Sequence, residues 1–328
     1  MNLSERVRQA LACPCCGASL ESGGERLYCV GATCGKSFPI VRGVPILINS
    51  SCSTFDLSSY TENDDRSEQT SSWRERVLRI IPRLSMNIAA KENYRRFRDR
   101  LVRANSHALV LIIGGARAGE GMEELLGDER IEFVEADVAL LGKTRVVCDA
   151  HDLPFASDTF DGVIIQAVLE YVFDPARCVS EIYRVLKADG QVYSEAPFMQ
   201  QVHGGKYDFT RFTLLGHRML FRRFTEVSSG ACCGPGMALA FSVQSFLLSF
   251  TARPALRNAI KVIARCSLFW LKYFDWYLVR RTAALDAASG TYFLGTKTPR
   301  ELSNRELVRL YRGGVRADHM PLKRGVHA

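Results

Sequence analysis

The residue types best able to do chemistry in this chain begin with four thiols. Cys13 and Cys16, then Cys29 and Cys34, form two pairs that can close on one tetrahedral metal ion. The surrounding text, Leu11 to Gly17 and Phe38 to Ile48, reads as a small β module too poor in core to fold without such a staple. A zinc ribbon is therefore expected, holding one Zn2+ through Cys13, Cys16, Cys29 and Cys34, with Cys15 left outside the set. Gly17 and Gly35 follow the pairs, where the backbone must turn for amides to face thiolate sulfur. Free or disulfide-bonded cysteines are the competing reading. Paired spacing with a glycine behind each pair is demanding enough to weigh against it.

A second set of groups sits at the ends of apolar runs. Ala108 to Ile113 is unbroken apolar text closed by Gly114-Gly115-Ala116-Arg117-Ala118-Gly119, and Glu120 to Leu126 then follows with helical spacing. Strand, glycine turn and helix in that order open a nucleotide-binding doubly wound sheet. A second strand, Ile131 to Val134, leads to Asp137, about twenty residues past the glycine turn, where a ribose-binding carboxylate belongs. Glu135 competes with it for that role. A third strand, Arg145 to Cys148, is capped by Asp149. Asp161 and Glu170 are read as carboxylates that cap backbone amides.

The third set is His203-Gly-Gly-Lys-Tyr-Asp208-Phe-Thr-Arg211, which follows a fifth strand, Gln191 to Glu195. Such a loop leaves the carboxyl end of the sheet, where ligands bind in doubly wound folds. His203 is the candidate general base, because an imidazole can take a proton near pH 7 without strong tuning. Asp208 and Arg211 are expected to form an ion pair that pins the loop; a merely solvated histidine is the alternative.

Four segments are needed to position these groups. The ribbon occupies residues 1–50, a linker and basic helix 51–106, an α/β Rossmann-like core 107–298, and a basic tail 299–328. Within the core, about 235–285 is expected to be a helical insertion and Thr291 to Thr296 the last, antiparallel strand. From Arg74 to Arg103 the chain carries ten Lys or Arg against Glu75, Glu92 and Asp99. That run could be a nucleic-acid footprint. Tyr94, Phe97 and Leu101 at helical spacing favour a solvated helix with one face in the core. Ser50 to Ser72, rich in Ser, Thr, Asp and Glu, is the expected linker.

Two resemblances sharpen this picture. Leu11 to Ile48, ending in Phe38-Pro-Ile-Val-Arg-Gly43-Val-Pro45-Ile-Leu47, resembles the Trm112-like zinc ribbons, which accompany or activate methyltransferases. Asp149-Ala-His-Asp-Leu-Pro-Phe155, Asp158-Thr-Phe-Asp161-Gly-Val-Ile-Ile165, Leu169-Glu-Tyr171 and Arg184-Val-Leu-Lys-Ala-Asp-Gly190 together resemble the class I S-adenosylmethionine-dependent methyltransferases of the type 11 subgroup. The second resemblance runs from Ala108 to Phe198. It implies a seven-stranded core that binds S-adenosylmethionine: Gly114, Gly115 and Gly119 against the methionine part, Asp137 on the ribose, and Asp149 with Ala150 at the adenine. Ile112 or Ile113 stands where the family carries an acid before the glycine turn. The loop from His203 to Thr213 resembles one in methyltransferases encoded beside glycan and natural-product genes.

No Asn/Asp-Pro-Pro-Tyr motif follows the fourth strand; Gln166-Ala-Val-Leu169 stands there, which argues against methylation of nucleobase or glutamine amines. The resemblance therefore implies an O-directed enzyme acting on a small molecule or a saccharide or natural-product intermediate. An rRNA or tRNA methyltransferase and a noncatalytic scaffold are the alternatives. In 328 residues with formal net charge +8 and 47% hydrophobic residues, composition is that of a multi-domain globular protein. Scattered cysteines and the lack of an opening charged and apolar signal lead to a cytoplasmic expectation. Residues 236–280 mix aromatics with Lys and Arg, and are expected to form a lid, a homodimer seam or a peripheral membrane contact.

Overall fold

The computed structural model describes residues 1–55, 57, 60, 81–116 and 119–315. Most of the expected linker, residues 74–80 of the basic run, Arg117 and Ala118 of the glycine turn, and residues 316–328 of the tail lie outside them.

Four short strands, β1 (Leu20–Gly23), β2 (Arg26–Cys29), β3 (Ser37–Val41) and β4 (Val44–Leu47), form an antiparallel meander after a first helix, Glu5–Ala10. The core contributes β5 (Ala108–Ile113), β6 (Ile131–Asp137), β7 (Val146–Cys148), β8 (Phe160–Gln166), β9 (Leu186–Pro197), β10 (Phe224–Cys233) and β11 (Gly290–Lys297). The expectation of a seven-stranded sheet needs correction, because the sheet has eleven strands in the order β1-β2-β3-β4-β7-β6-β5-β8-β9-β11-β10. The cause is edge pairing. β4 runs parallel to β7, with Ile46 opposite Val147 and Leu47 opposite Cys148, so the ribbon extends the core sheet. Backbone bonds from Ala12 to the Pro154 carbonyl (2.9 Å) and from Ala156 to the Ala10 carbonyl (2.8 Å) secure the junction.

Every residue of β5 is buried, as continuous apolar text in a two-sided parallel sheet requires. The helix Ala90–Ala104 covers one face with Tyr94, Phe97 and Leu101, each at most 1% exposed, so the apolar stripe of the basic run serves the core. A Cβ at Gly162 would come within 2.8 Å of the Phe97 ring, which explains glycine in the middle of β8. On the other face the helix Pro175–Val185 starts with proline in its first turn, and Asp174 accepts from the Arg177 amide. β11 pairs antiparallel with both β9 and β10. Helices Pro235–Leu248, Pro254–Leu268, Asp275–Leu278 and Thr282–Leu285 stand between β10 and β11.

Asp161 behaves as a strand-end cap: it accepts from the Leu109 amide at 2.8 Å and pairs with Lys187 (2.7 Å) and Arg6 (3.3 Å).

Candidate functional site

In the ribbon the four predicted cysteines converge. Their sulfurs lie within 4.8 Å of one another, with Cys13 and Cys34 at 3.7 Å and Cys16 and Cys29 at 3.4 Å. Four Zn–S bonds of about 2.3 Å at tetrahedral angles put sulfurs roughly 3.8 Å apart, so this donor set fits a zinc ion. Gly17 (φ 75°) and Gly35 (φ 59°) make the left-handed turns behind the pairs, and the Gly31 amide points at the Cys29 sulfur at 3.3 Å. Cys15 turns away and donates to Asn49 Oδ1 at 3.4 Å. Burial pushes the Cys13 thiol up to about 11, so metal binding there must expel a proton.

At the carboxyl ends of β5, β6, β7 and β8 lies a cavity of about 770 Å³. Gly114, Asp137, Asp149 and Ala150 all line it. Gly114 (φ 79°) must be glycine, since a Cβ would stand 2.4 Å from Val168 Cγ2. Asp137 is oriented by the amides of Ala116 (3.1 Å) and Ala139 (2.9 Å). Its competitor Glu135 lies outside the lining, with Arg145 at 3.7 Å; a Cβ at Gly115 would meet Glu135 Cβ at 2.9 Å. Gly115 thus serves a close backbone approach and lines neither cavity described here.

Asp149 accepts from Ser53 Oγ at 2.6 Å and from the His151 amide at 3.0 Å, and its Oδ1 lies 2.6 Å from His151 Nδ1. His151 Nε2 accepts the Asp174 amide at 3.1 Å, which leaves Nδ1 to carry the proton toward Asp149. Burial alone would raise the Asp149 pKa; the bonds from His151 and Ser53 outweigh it and hold the carboxyl below its ordinary value. Ser53 and Phe55, just beyond the ribbon, had no sequence signal. Phe55 lines the cavity and stacks on Tyr207 of the loop, ring centroids 6.2 Å apart.

A second pocket of about 290 Å³ shares Ile113, Gly114, Gln166 and Ala167 with the first. Gly119 reaches it beside Gln166, as do His203, Glu170 and Glu195, the last of which carried no sequence signal of a site role. Glu195 is held by Asn87 (2.8 Å), Gln166 (2.7 Å) and the Tyr193 hydroxyl, and Gln166 in turn accepts from Tyr94 at 2.9 Å. Glu170 contradicts its expected capping role. It is fully buried, neither carboxylate oxygen has a hydrogen-bond partner among the described residues, and burial pushes its pKa up from 4.5 to about 7.

The loop is built as its residue types foretold. Asp208 and Arg211 pair, with Oδ2 and Nη2 2.9 Å apart, and Asp208 accepts the amides of His203 (2.8 Å) and Gly204 (3.1 Å). Arg211 also donates to the carbonyls of Gln200 (2.9 Å) and Gln201 (3.0 Å), and its guanidinium holds the Asp208 carboxyl well below the usual carboxylate range. Both residues pin the loop from behind and line neither pocket. His203 alone faces the inner pocket, its Nδ1 3.0 Å from the Gln201 carbonyl. With a proton on Nδ1 donated to that oxygen, Nε2 keeps a free lone pair.

Residues 124–194 match a family model described as a methyltransferase domain. Among curated proteins, the chain is 34% identical over 92 residues to a demethylmenaquinone methyltransferase of Clavibacter sepedonicus, covering 28% of this chain and 33% of that protein. It is 43% identical over 61 residues to 2-methyl-6-phytyl-1,4-hydroquinone methyltransferase 1, chloroplastic, of Oryza sativa subsp. japonica, covering 19% of this chain and 18% of that one. These matches span a third or less of either relative. A solved structure of Haemonchus contortus phosphoethanolamine N-methyltransferase 2 with S-adenosyl-L-methionine overlaps 66% of this chain and 55% of its own at 16% identity and a TM-score of 0.42, a likeness too slight to speak to function.

Proposed function

We propose that this chain is an S-adenosylmethionine-dependent methyltransferase with a structural zinc ribbon, acting on a small molecule. The observation that carries the reading is the convergence of Gly114, Asp137 and Asp149 on one cavity that shares a wall with a pocket holding His203 and Glu170, a carboxylate without a hydrogen-bond partner among the described residues. The methyltransferase-domain match over 124–194 supports it.

In this reading Asp137 receives the ribose hydroxyls in a charge-assisted pair, and Asp149 with Ala150 meets the adenine. Gly114 and Gly119 let the methionine part lie close to backbone. The cofactor supplies an electrophilic methyl group at its sulfonium. Methyl transfer is an in-line displacement, so the chain's main work is positioning. The inner pocket receives the acceptor next to Gly114, and His203 Nε2 takes the proton of an acceptor hydroxyl. Asp208 and Arg211 act by holding His203 in place, as positioning residues.

A hydroxyl of a small molecule or of a saccharide intermediate is the acceptor we infer. Quinone-type rings, named in the matched relatives, are the second reading, favoured by Ile112, Met122 and Ile164 in the wall of the inner pocket. An RNA acceptor is less favoured, because most arginines of Ala90–Ala104 already have a partner within the chain. Arg95 and Arg96 pair with Glu92, Arg98 with Asp99, and Arg100 bonds Gln191 and Thr296. Calorimetric titration with S-adenosylhomocysteine tests the reading. Binding that Asp137→Ala weakens is expected, whereas a chain that binds none is a scaffold and the reading fails.

A further inference from the structure

The helices between β10 and β11 leave an apolar surface uncovered. Phe246, Phe250, Ile263, Phe274, Trp276 and Tyr277 are each more than half exposed, and Leu256, Trp270 and Tyr273 are about half exposed. Leu256 and Ile263, seven residues apart, share a side of the helix Pro254–Leu268, and Trp270, Tyr273 and Phe274 follow on the 3-10 helix Phe269–Phe274. Trp270 and Phe274 pack edge to face with centroids 5.9 Å apart, and Phe246 and Phe250 do so at 5.1 Å. The same segment carries Arg253, Lys261, Arg265, Arg280 and Arg281, while Arg257 donates to the Leu248 (2.9 Å) and Thr251 (3.0 Å) carbonyls and Lys272 to that of Arg83 (2.6 Å).

Over residues 236–281 the single acidic side chain is Asp275. It is buried and accepts the Gly236 (2.7 Å) and Met237 (3.0 Å) amides, so it fastens the helices together and leaves the surface purely basic. Among the described residues no helix is long and apolar enough to cross a membrane. Helices too short to span, with aromatics flanked by Lys and Arg, suit an interface where rings sit at headgroup level and cations meet anionic lipid.

We infer that this surface docks the protein on an anionic lipid bilayer and so presents the inner pocket to an amphiphilic acceptor. The docking stands on the surface itself; the acceptor part rests on the methyltransferase reading. Position links the two. Cys232 and Cys233, at the end of β10, line the inner pocket immediately before Pro235–Leu248 begins, and Gln201 of the His203 loop donates to Ser242 of that helix at 3.0 Å. Met199 and Val202 of the same loop are also exposed. An acceptor with its apolar part in the bilayer would meet the pocket from that side. The aliphatic members of the surface, Leu256 and Ile263, favour lipid over a nucleic-acid strand, whose bases stack on aromatic rings.

Vesicle flotation and tryptophan emission test the docking on the full chain. The chain has three tryptophans, two of them Trp270 and Trp276, so burial in lipid should shift the emission to the blue. Binding to vesicles containing phosphatidylglycerol should be at least about tenfold tighter than to pure phosphatidylcholine, and weaker in high salt. A Trp270→Ser, Phe274→Ser, Trp276→Ser variant should lose flotation while binding S-adenosylhomocysteine as the parent does. Flotation with no cofactor binding would leave the docking standing and remove the methyltransferase reading. Cofactor binding without flotation on either vesicle would overturn the docking alone. A dimer in sedimentation equilibrium that the triple variant dissociates, or RNA binding abolished by it, would likewise overturn it, assigning the surface to a second copy or to nucleic acid.

Discussion

Glu170 gives the sharpest test of the site, because its burial with no hydrogen-bond partner among the described residues should cost stability once it ionises. Its pKa rises from 4.5 to about 7 through burial, opposed by its own backbone amide and by nearby Arg211 and assisted by Asp208. Each tenfold change in a proton equilibrium is worth about 1.4 kcal/mol, so ionising this buried carboxyl costs the native state about 3 kcal/mol. The sign follows from linkage. A group whose native pKa is raised contributes its stability below the unfolded value, and that stability is lost as pH climbs toward about 7. Glu170→Gln is nearly isosteric with the protonated acid. It should match the parent below about pH 4.5, gain on it progressively, and exceed it by about 3 kcal/mol above about pH 7. Urea denaturation without ligand, at intervals from pH 4.5 to 8.5, reads this directly; methyl transfer in the same variant should fall while S-adenosylhomocysteine affinity holds. A difference that does not change with pH, or a variant less stable than the parent in alkali, would mean that the carboxylate has a partner and the argument is wrong.

Zinc content should vanish in Cys29→Ser, and cofactor affinity should drop with it, because Ser53 beyond the ribbon bonds Asp149 at 2.6 Å; full zinc occupancy would end the metal assignment. Asp137→Ala removes a charged acceptor, so calorimetry with S-adenosylhomocysteine should show a loss of roughly 1.5 to 3 kcal/mol, and an unchanged affinity would take the ribose away from Asp137. His203→Ala should lower turnover by about 10² to 10⁴ with cofactor affinity intact, the deficit shrinking as pH approaches the acceptor's own pKa; a loss equal at every pH would make His203 a positioning residue.

What could be read from the sequence was whatever local spacing controls. Four cysteines at fixed intervals, glycine after an apolar run and acids at strand ends each declare themselves in short stretches of text, and the structure brings Cys13, Cys16, Cys29 and Cys34 together and Gly114, Asp137 and Asp149 to one cavity. Asp208 and Arg211, three residues apart, announced their own ion pair. Long-range pairings were hidden. The bond from Ser53 to Asp149 spans 96 positions and that from Asn87 to Glu195 spans 108. The parallel pairing of β4 with β7 is equally silent, since Val44 to Leu47 is short apolar text that any sheet edge could accept. Glu170 differs from the capping acid its position suggests, because only the three-dimensional environment shows that neither of its oxygens makes a hydrogen bond among the described residues.

The ribbon's place in the sheet decides what the proposed zinc would do there. A detached zinc module would add its own stability and nothing more. Here β4 covers the edge of β7, whose end carries Asp149, and the chain leaving β4 supplies Asn49, Ser53 and Phe55 in turn. Asn49 bonds Cys15 (3.4 Å) on the ribbon side and Asp152 (3.4 Å) on the core side, while Phe55 closes the cavity against Tyr207. Folding of the ribbon is therefore also the ordering of one wall of the cavity lined by Gly114, Asp137 and Asp149. A ligand that needs an ordered wall binds more weakly when that wall must first be organised. In the proposed reading, zinc held by Cys13, Cys16, Cys29 and Cys34 would support cofactor binding through backbone continuity alone.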